Sequence, residues 1–362
     1  MSSVPAQMKA LIVDGKSAAS VQTVETPKPG PGQILVKVVA NALNPTDWKH
    51  LDFFGLEGTT LGSDFIGTVV DKGAEAGNTV EIGERVASCV HGGYERGVGA
   101  FAEYLVTDPG TVTSVPDSIS DVDGAGLGVG GFTALFGLFQ PKHLGLPPPP
   151  SSGSLPDVDP KRKVLVWSGA SSVGQFAIQA ARAAGAYVIV TASPKNHSWL
   201  QSLGAAEAYD YADAETPAKI AAAHPDLAYA FDTRSEQGSQ EACASALSKQ
   251  GGKLVCILPF HPQSVAEANP KVQATFLLLY TTSGQRTELF SAVFDEAYCQ
   301  EDFRYMREMA SGKRGLLYQL LASGLVRPNR STLQSGGLDS LLEGLDRLRQ
   351  GKVSGEKLIY QP

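Results

Sequence analysis

The residues whose types and spacing most clearly indicate a chemical function lie between positions 163 and 185, in a predicted strand–turn–helix segment. An apolar run opens it with the length and composition of a buried strand, and helical spacing of apolar residues follows the turn. Gly169 permits a sharp turn, Gly174 permits close packing of helix on strand, and Ser171 stands where the G-x-G-x-x-G pattern has its middle glycine. The first amides of the helix would face a pyrophosphate, so the pattern predicts the start of a dinucleotide-binding domain. The positions expected to contact the cofactor here are Ser171, Ser172, Val173 and Gly174.

A second predicted strand, over residues 187–191, follows the helix, and the residues after it indicate which dinucleotide binds. In folds that bind NAD this strand end usually carries Asp or Glu for the ribose hydroxyls. Here Ser193, Lys195 and Asn196 offer a hydroxyl, a positive charge and an amide instead. This set suits a 2′-phosphate, so we predict NADPH rather than NADH. The alternative is an ordinary surface turn with a solvated lysine.

Length and composition exclude several classes of protein. The 362 residues are enough for two domains, and 43% hydrophobic with 19% charged residues is ordinary for a soluble globular enzyme. The net charge of −7 lacks the basic footprint of a nucleic-acid-binding protein, and no apolar run has the length of a membrane span. Residues 1–8 carry no apolar signal core, so the expected location is cytoplasmic.

The cysteines do not indicate a clustered metal site. The chain has four, none of them in a C-x-x-C pair, so neither a clustered zinc site nor a disulfide framework is predicted. We expect buried thiols at these positions: Cys89, Cys243, Cys256 and Cys299.

The segment before the dinucleotide-binding region reads as a separate β domain. Short runs of alternating or apolar residues are separated by regular glycine turns, which is typical of a barrel-like β fold. The predicted strands include residues 8–13, 34–39, 61–70, 82–86 and 99–106.

The order of these segments resembles the medium-chain dehydrogenase/reductases. The motifs that carry the resemblance are N-P-T-D at 44–47, G-S-D-F-I-G-T-V-V at 62–70, G-E-R-V at 83–86, G-A-F-A-E-Y at 99–104, G-A-S-S-V-G at 169–174 and G-K-V-S-G-E-K-L at 351–358. The resemblance implies an α/β protein in which a GroES-like β-barrel domain (residues 1–125 and 301–362) accompanies a Rossmann domain with a doubly wound parallel sheet (residues 126–300).

Two departures from the zinc alcohol dehydrogenases of that family indicate a zinc-free branch. Asn44 and Pro45 occupy the region of the cysteine ligand, and the four-cysteine structural lobe is missing. Catalytic zinc needs about three protein ligands, and the nearby candidates are His50, His91 and Cys89. These three could meet in space, but we expect no metal and a reductase of activated C=C bonds.

A proline-rich loop at residues 141–160 narrows the resemblance further. Four consecutive prolines followed by serines cannot continue a helix. With A-L-N-P-T-D-W-K at 42–49 and S-P-K-N at 193–196, this insertion resembles the fungal trans-acting enoyl reductases, which serve highly reducing polyketide synthases. The alternative is a surface loop without consequence. The resemblance implies NADPH-dependent reduction of the α,β-double bond of a polyketide chain held as a thioester on a partner synthase.

The resemblance also implies roles for individual residues. The segment 44–49 would border the nicotinamide and its ribose through Asn44, Pro45, Thr46 and Asp47. Lys49 is the first candidate donor to the carbonyl oxygen, where charge develops, and a solvated lysine is the alternative. Thr133 is the second candidate, with a helix-packing threonine as its alternative.

The remaining implied contacts belong to the acyl pocket and to the cofactor. The helix around Thr133 would shape an acyl pocket with Val129, Gly130, Gly131, Phe132, Ala134, Leu135 and Phe136. Tyr211 would lie near the adenine, Ile257 and Leu258 against the nicotinamide, and Val353 and Ser354 at the cofactor cleft.

Three questions remain open at this level. A stand-alone quinone or enone reductase would need the same cleft, and a cofactor-binding protein without catalysis is a rival from another class. A monomer is favoured, although the apolar residues 276–280 could pair strands across a dimer or wall an acyl channel. Four cations around the proline-rich loop could dock an acidic carrier protein: Lys142, Lys161, Arg162 and Lys163.

Overall fold

A computed structural model describes residues 4–150, 153–289 and 292–362 of the chain. The first three residues lie outside the described residues, and so do Ser151 and Ser152 of the proline-rich loop.

The elements before the proline-rich loop are mostly strands. They are β1 (Gln7–Gly15), β2 (Ala18–Glu25), β3 (Ile34–Ala42), β4 (Asp64–Lys72), β5 (Arg85–Cys89), β6 (Tyr104–Thr107) and β7 (Thr113–Ser114). The helices of this part are α1 (Pro45–Lys49), which continues as a π-helix over His50–Phe54, then α2 (Asp121–Gly124) and α3 (Gly128–Phe139).

Strands and helices alternate after the proline-rich loop. They are β8 (Asp159–Trp167), α4 (Ser172–Ala183), β9 (Ala186–Ala192), a 3₁₀ turn (Pro194–Asn196), α5 (His197–Ser202), β10 (Glu207–Asp210), α6 (Thr216–Ala223), β11 (Tyr229–Asp232), α7 (Ser239–Ala246), β12 (Gly252–Cys256), α8 (Pro262–Ala268) and β13 (Val272–Phe276). The last part contains a 3₁₀ helix (Leu279–Ser283), β14 (Thr287–Leu289), β15 (Ala292–Phe294), α9 (Glu296–Met309), α10 (Leu316–Ala322), β16 (Ser331–Leu333), a 3₁₀ turn (Gly337–Ser340), α11 (Leu341–Arg349) and β17 (Lys357–Tyr360).

The alternating elements build a parallel sheet of the Rossmann type. Within the described residues its strand order is β10-β9-β8-β11-β12-β13, and each neighbouring pair is parallel. Val164, Leu165 and Val166 of β8 are fully buried because helices cover both faces of the sheet. The chain reverses its direction of strand addition between β8 and β11, and ligands bind such folds outside the carboxyl ends of the strands at that point.

The other large sheet assembles the first domain and includes the last strand of the chain, whereas β1 and β2 form a separate antiparallel pair. In the described residues its order is β16-β17-β3-β4-β5-β7, with β6 also paired to β3. β17 runs antiparallel to β3, so the C-terminal strand returns to the N-terminal domain. Ile34, Val36 and Val38 point to a core with Phe65 and Val69 from β4. The expected GroES-like domain beside a Rossmann domain is confirmed.

The expected C-terminal domain boundary, between residues 300 and 301, falls within a helix. Residues 300 and 301 lie inside α9, which continues without a break to Met309. Asp302 of this helix is buried and accepts hydrogen bonds from the side chains of Gln140 and Thr281. The helix therefore packs against residues on both sides of the Rossmann sheet in sequence, and the expected boundary falls within it. No helix in the described part of the chain is long and apolar enough to cross a membrane.

Candidate active site

A large cavity opens at the carboxyl ends of β8 and β11, where residues from both domains meet. Its volume is about 470 Å³. The N-terminal domain contributes Asn44, Pro45, Thr46, Lys49, His50, Phe54 and, from the C-terminal return, Val353. The turns of the parallel sheet contribute Ser168, Ser171, Ser172, Val173, Thr233, Arg234, Glu236, Ile257 and Leu258.

The turn between β8 and α4 has the geometry of a phosphate-binding turn. The Ser171 hydroxyl caps α4 by accepting the Gly174 N–H at 2.9 Å, and Ser168 takes a positive φ of 66°, which is rare outside glycine. A Cβ at Gly174 would lie 2.6 Å from the Ser168 carbonyl oxygen, so helix and turn approach as closely as the sequence predicts. Ser171, Ser172 and Val173 line the cavity, whereas Gly174 lies behind them against the turn. The free amides of this helix start fit the pyrophosphate of a dinucleotide.

The loop after β11 forms the opposite wall, and a buried aspartate holds it. Asp232 is fully buried and accepts the backbone N–H groups of Arg234 and Ser235 and the Ser239 hydroxyl at 3.1, 2.9 and 2.6 Å. The Thr233 hydroxyl lies 2.8 Å from the Ser171 hydroxyl, which ties this loop to the phosphate-binding turn. The sequence did not predict that Arg234 and its loop would line the site.

Lys49 reaches the cavity and meets a carboxylate from the other domain. Its ammonium nitrogen lies 2.6 Å from Oε1 of Glu236, on the loop after β11. Lys49 is mostly shielded, with 18% of its side chain exposed, whereas Glu236 is about half exposed. The expected position of Lys49 at the cleft is therefore present, together with a counter-ion that sequence spacing could not reveal.

Helix α3 contributes two side chains to the cavity instead of the eight expected. Val129 and Thr133 lie one helical turn apart and line the wall. The other six are buried in α3 and are not among the described residues that line this cavity: Gly130, Gly131, Phe132, Ala134, Leu135 and Phe136. A helix that is apolar all round faces protein on every side, so most of its residues fill the core.

Asn44 and Asp47 have different positions, although both were expected to contact the cofactor. Asn44 is in the cavity wall, where its side chain donates to Asp64 at 2.9 Å and accepts from Lys357 at 2.6 Å. Asp47 lies beneath the wall, where it accepts the Asn44 N–H at 2.7 Å and the Ser63 hydroxyl at 2.8 Å. Asp47 is only 1% exposed and caps α1, so it is not among the described residues that line the cavity.

The predicted 2′-phosphate residues lie together at the end of β9. Ser193 precedes the 3₁₀ turn that carries Lys195 and Asn196, and its hydroxyl donates to the Tyr211 hydroxyl at 3.5 Å. Lys195 is exposed. Tyr211 lines a second cavity of about 340 Å³, and Arg234, which lines both cavities, lies with its guanidinium 5.9 Å from the Tyr211 ring. The two cavities therefore fit the two ends of a dinucleotide.

The rest of the wall is apolar. Ile257, Leu258 and Val353 line the main cavity as expected of them, while Ser354 is exposed and lies outside the described lining. Residues 277–280 form another part of the wall. This placement favours the channel interpretation of that segment among the two that the sequence left open.

The two histidines considered as zinc ligands contact each other directly. Nε2 of His50 lies 2.9 Å from Nε2 of His91, and Nδ1 of His50 donates to the Thr46 carbonyl oxygen at 2.8 Å. Burial lowers the pKa of both imidazoles, and for His91 the neighbouring His50 lowers it further. Burial also raises the pKa of the Cys89 thiol. Among the described residues, no group of three or more His, Cys, Asp or Glu side chains is arranged to hold a metal ion.

The cations near the proline-rich loop are partly engaged in contacts within the protein. Lys142 pairs with the buried Asp302 at 2.6 Å, and Lys163 pairs with Asp226 at 2.5 Å. Arg162 donates to the Ala184 carbonyl oxygen at 2.7 Å. Carboxylates therefore pair with two of the four cations of the expected carrier-docking patch, Lys142 and Lys163.

Comparison with known proteins identifies the family. Two family profiles match the chain: the alcohol dehydrogenase GroES-like domain over residues 30–117 and the zinc-binding dehydrogenase over residues 172–293. The chain is 34% identical to the trans-enoyl reductase traG of Penicillium crustosum, and the match covers 99% of this chain and 98% of that one. It is also 34% identical to the trans-enoyl reductase caaB of Aspergillus niger, with 99% and 98% coverage. The chain belongs to the trans-enoyl reductases of the medium-chain dehydrogenase/reductase family.

This membership makes the protein an oxidoreductase of the enoyl reductase type with a nicotinamide cofactor, as the site geometry indicates. The fold also matches the quinone oxidoreductase of Coxiella burnetii, with a TM-score of 0.70 at 24% identity over 98% of this chain and 99% of that chain. At this identity the likeness supports the architecture and nothing about the substrate.

Proposed function

We propose that this trans-enoyl reductase uses NADPH to reduce the α,β-double bond of a polyketide chain that a partner synthase carries as a thioester. The observation that carries the proposal is the shared cavity at the β8–β11 reversal. There the capped start of α4 faces Lys49 and Thr133 across an apolar wall.

NADPH supplies a hydride for the β-carbon when it is bound. Ser171, Ser172 and Val173 would hold its pyrophosphate at the start of α4, and Ser193 and Lys195 would hold the 2′-phosphate. The absence of an acidic side chain at the end of β9 supports NADPH over NADH, because a carboxylate there would repel the phosphate.

Lys49 and Thr133 would donate to the thioester carbonyl oxygen. Charge develops on this oxygen as the hydride arrives, and donors that already stand in a shielded site stabilise it without reorganisation. Thr133 is 5% exposed and fixed on a buried helix, which suits such a donor. Lys49 can provide a positive charge from the opposite wall, with Glu236 holding its side chain in place.

The apolar wall would hold the acyl chain. Leu277, Leu278, Leu279 and Leu289 lie along it, and removal of an acyl chain from water against such a surface contributes about 0.8 kcal/mol per buried CH₂. The related fungal proteins are named trans-enoyl reductases, which indicates action in trans, so we infer that the acyl chain arrives on a partner's carrier. We also propose that the enzyme acts as a monomer.

The test compares substrates side by side. NADPH oxidation is followed with an α,β-unsaturated acyl thioester, a free quinone and a free enone, with NADH as the cofactor control. Turnover of the thioester with NADPH is the expected result. Turnover of the quinone or the enone alone would assign the protein to the stand-alone reductases. Tight NADPH binding without any turnover would indicate a cofactor-binding protein without catalytic activity.

A further inference from the structure

A buried chain of exchangeable protons runs from Asp47 to the cavity. The Ser63 hydroxyl lies 2.8 Å from Oδ1 of Asp47 and 3.1 Å from the Tyr280 hydroxyl. Tyr280 also lies 2.9 Å from the Thr46 hydroxyl, and both Tyr280 and Thr46 line the cavity. These hydrogen bonds thus join the buried carboxyl group of Asp47 to the phenol of Tyr280 in the cavity wall.

The carboxyl group at the inner end is able to carry a proton near neutral pH. Burial raises the pKa of Asp47 to about 7, and the charge of Asp64 raises it as well. The hydrogen bonds from Ser63 and the Asn44 N–H, and the charge of Lys357, act in the opposite direction. Asp47 therefore changes its protonation state at a pH where an enzyme can use both forms.

The outer end of the chain holds its proton until a strong acceptor arrives. Burial raises the pKa of Tyr280, and Asp47 raises it further. The other titratable groups near the phenol are Cys89, whose thiol has a raised pKa, and the stacked His91 and edge-on His50, whose pKa values are lowered. These groups are uncharged near neutral pH, so Asp47 is the one of these neighbours whose charge acts on the Tyr280 phenol.

The hydrogen-bond directions allow one proton to move toward the cavity. When Asp47 is protonated it donates to Ser63, Ser63 donates to Tyr280, and the Tyr280 proton is left to point at Thr46 or into the cavity. Lys49 is less suited to this task, because its ammonium group is held by Glu236 at 2.6 Å.

We propose that Tyr280 delivers the proton that completes reduction at the α-carbon, and that Asp47 replenishes it through Ser63. The inference rests on the proposed function, since the acceptor is the enolate left after hydride transfer. The electron pair of the enolate forms the new C–H bond with the Tyr280 proton. The phenol oxygen takes the Ser63 proton, and Ser63 takes the Asp47 proton. The net change converts the Asp47 carboxylic acid to a carboxylate, which recovers a proton from solvent before the next turnover.

The main test replaces Tyr280→Phe and compares it with Tyr94→Phe. The two tyrosines stack on opposite faces of His91, with ring centroids 3.7 and 4.2 Å away, but only Tyr280 has a hydroxyl in the chain to Asp47. We expect Tyr280→Phe to lower kcat for the enoyl thioester by about 100-fold or more, the usual contribution of a positioned general acid. NADPH affinity and melting temperature should stay near the wild-type values, and Tyr94→Phe should keep wild-type kcat.

The pH profile distinguishes proton delivery from a packing role. Because the active form of Asp47 is protonated, wild-type kcat should fall as the pH rises through about 7. Ser63→Ala interrupts the chain without altering the cavity wall, so it should lower kcat and abolish that limb. The solvent deuterium isotope effect should be large in the wild type, because the proton moves along several hydroxyl groups.

A second readout needs neither substrate nor turnover. Infrared titration of the protein alone should show a carboxyl band that disappears as the pH rises through about 7 and that is missing in Asp47→Asn. If the wild type reduces the thioester while Tyr280→Phe keeps kcat within threefold and retains the pH limb, the relay is wrong and the enoyl reductase function stands. If the wild type reduces only a quinone, no α-carbon is protonated and both proposals fail.

Discussion

We expect the Lys357→Met variant to show how much one buried ion pair beneath the active site contributes to the free energy of unfolding. Lys357 is 4% exposed, and its ammonium group donates to Asp64 at 2.9 Å, to Asn44 Oδ1 at 2.6 Å and to the Leu43 carbonyl oxygen at 3.1 Å. Asp64 is fully buried. The pair joins β17 to β4 and orients Asn44, which is part of the cavity wall.

The expected loss is about 3 kcal/mol of unfolding free energy. Removal of one partner from a buried pair costs about 3–5 kcal/mol, because the remaining charge has no compensation. Asp64 keeps hydrogen bonds from the Val129 N–H at 2.6 Å and the Asn44 amide at 2.9 Å, which places the value at the lower end. Methionine keeps most of the lysine stem, so the lost packing is small.

Urea unfolding followed by circular dichroism measures the change, with Lys219→Met as the matched control. Lys219 pairs with Asp213 on the surface, where 57% and 38% of the two side chains are exposed, so its removal should leave the free energy of unfolding nearly unchanged. The double variant Lys357→Met/Asp64→Asn should lose less than the sum of its two single variants, because the second change removes the uncompensated charge. A loss of under about 1 kcal/mol in Lys357→Met, equal to the control, would refute the reasoning.

Two further predictions concern cofactor binding. A Cβ at Gly130 would lie 2.4 Å from the Ser172 hydroxyl, whereas one at Gly131 would meet its nearest atoms at an ordinary 3.4 Å. Gly130→Ala should therefore raise the NADPH Kd by about tenfold, or 1.4 kcal/mol, in calorimetric titrations, and Gly131→Ala should leave it unchanged. Equal NADPH affinities of the two variants would show that a side chain at Gly130 does not disturb the start of α4. Lys195→Ala should raise the Kd of NADPH by about tenfold and leave that of NADH unchanged, since only NADPH carries the 2′-phosphate. Lys161→Ala on another exposed surface is its control, and an equal effect on both dinucleotides would count against the phosphate contact.

Where local patterns set the structure, the sequence was sufficient. The apolar run at 164–166, the small residues of the turn and the helical spacing after it predicted β8, its turn and α4, because strand, turn and helix each depend on neighbours along the chain. The same applies to Ser193 and Lys195, which follow β9 directly. Order of motifs along the chain was enough for the two domains and the family.

Where contacts join distant parts of the chain, the sequence was not sufficient. The residues around Thr133 could face a pocket or the core, and the packing of α3 against α4 and α9 turned most of them inward. The cations at the proline-rich loop suggested a docking patch, and only the structure shows that Lys142 and Lys163 pair with carboxylates.

The sequence by itself therefore determined the Rossmann turn, the two-domain order and the family, since each follows from residues close together along the chain or from the succession of such segments. The tertiary structure decided the Lys49–Glu236 pair, the Lys357–Asp64 pair and the chain from Asp47 to Tyr280, whose members lie 187, 293 and 233 positions apart. The physical reason is that burial and partner choice set charge and protonation, and both depend on which distant elements pack together.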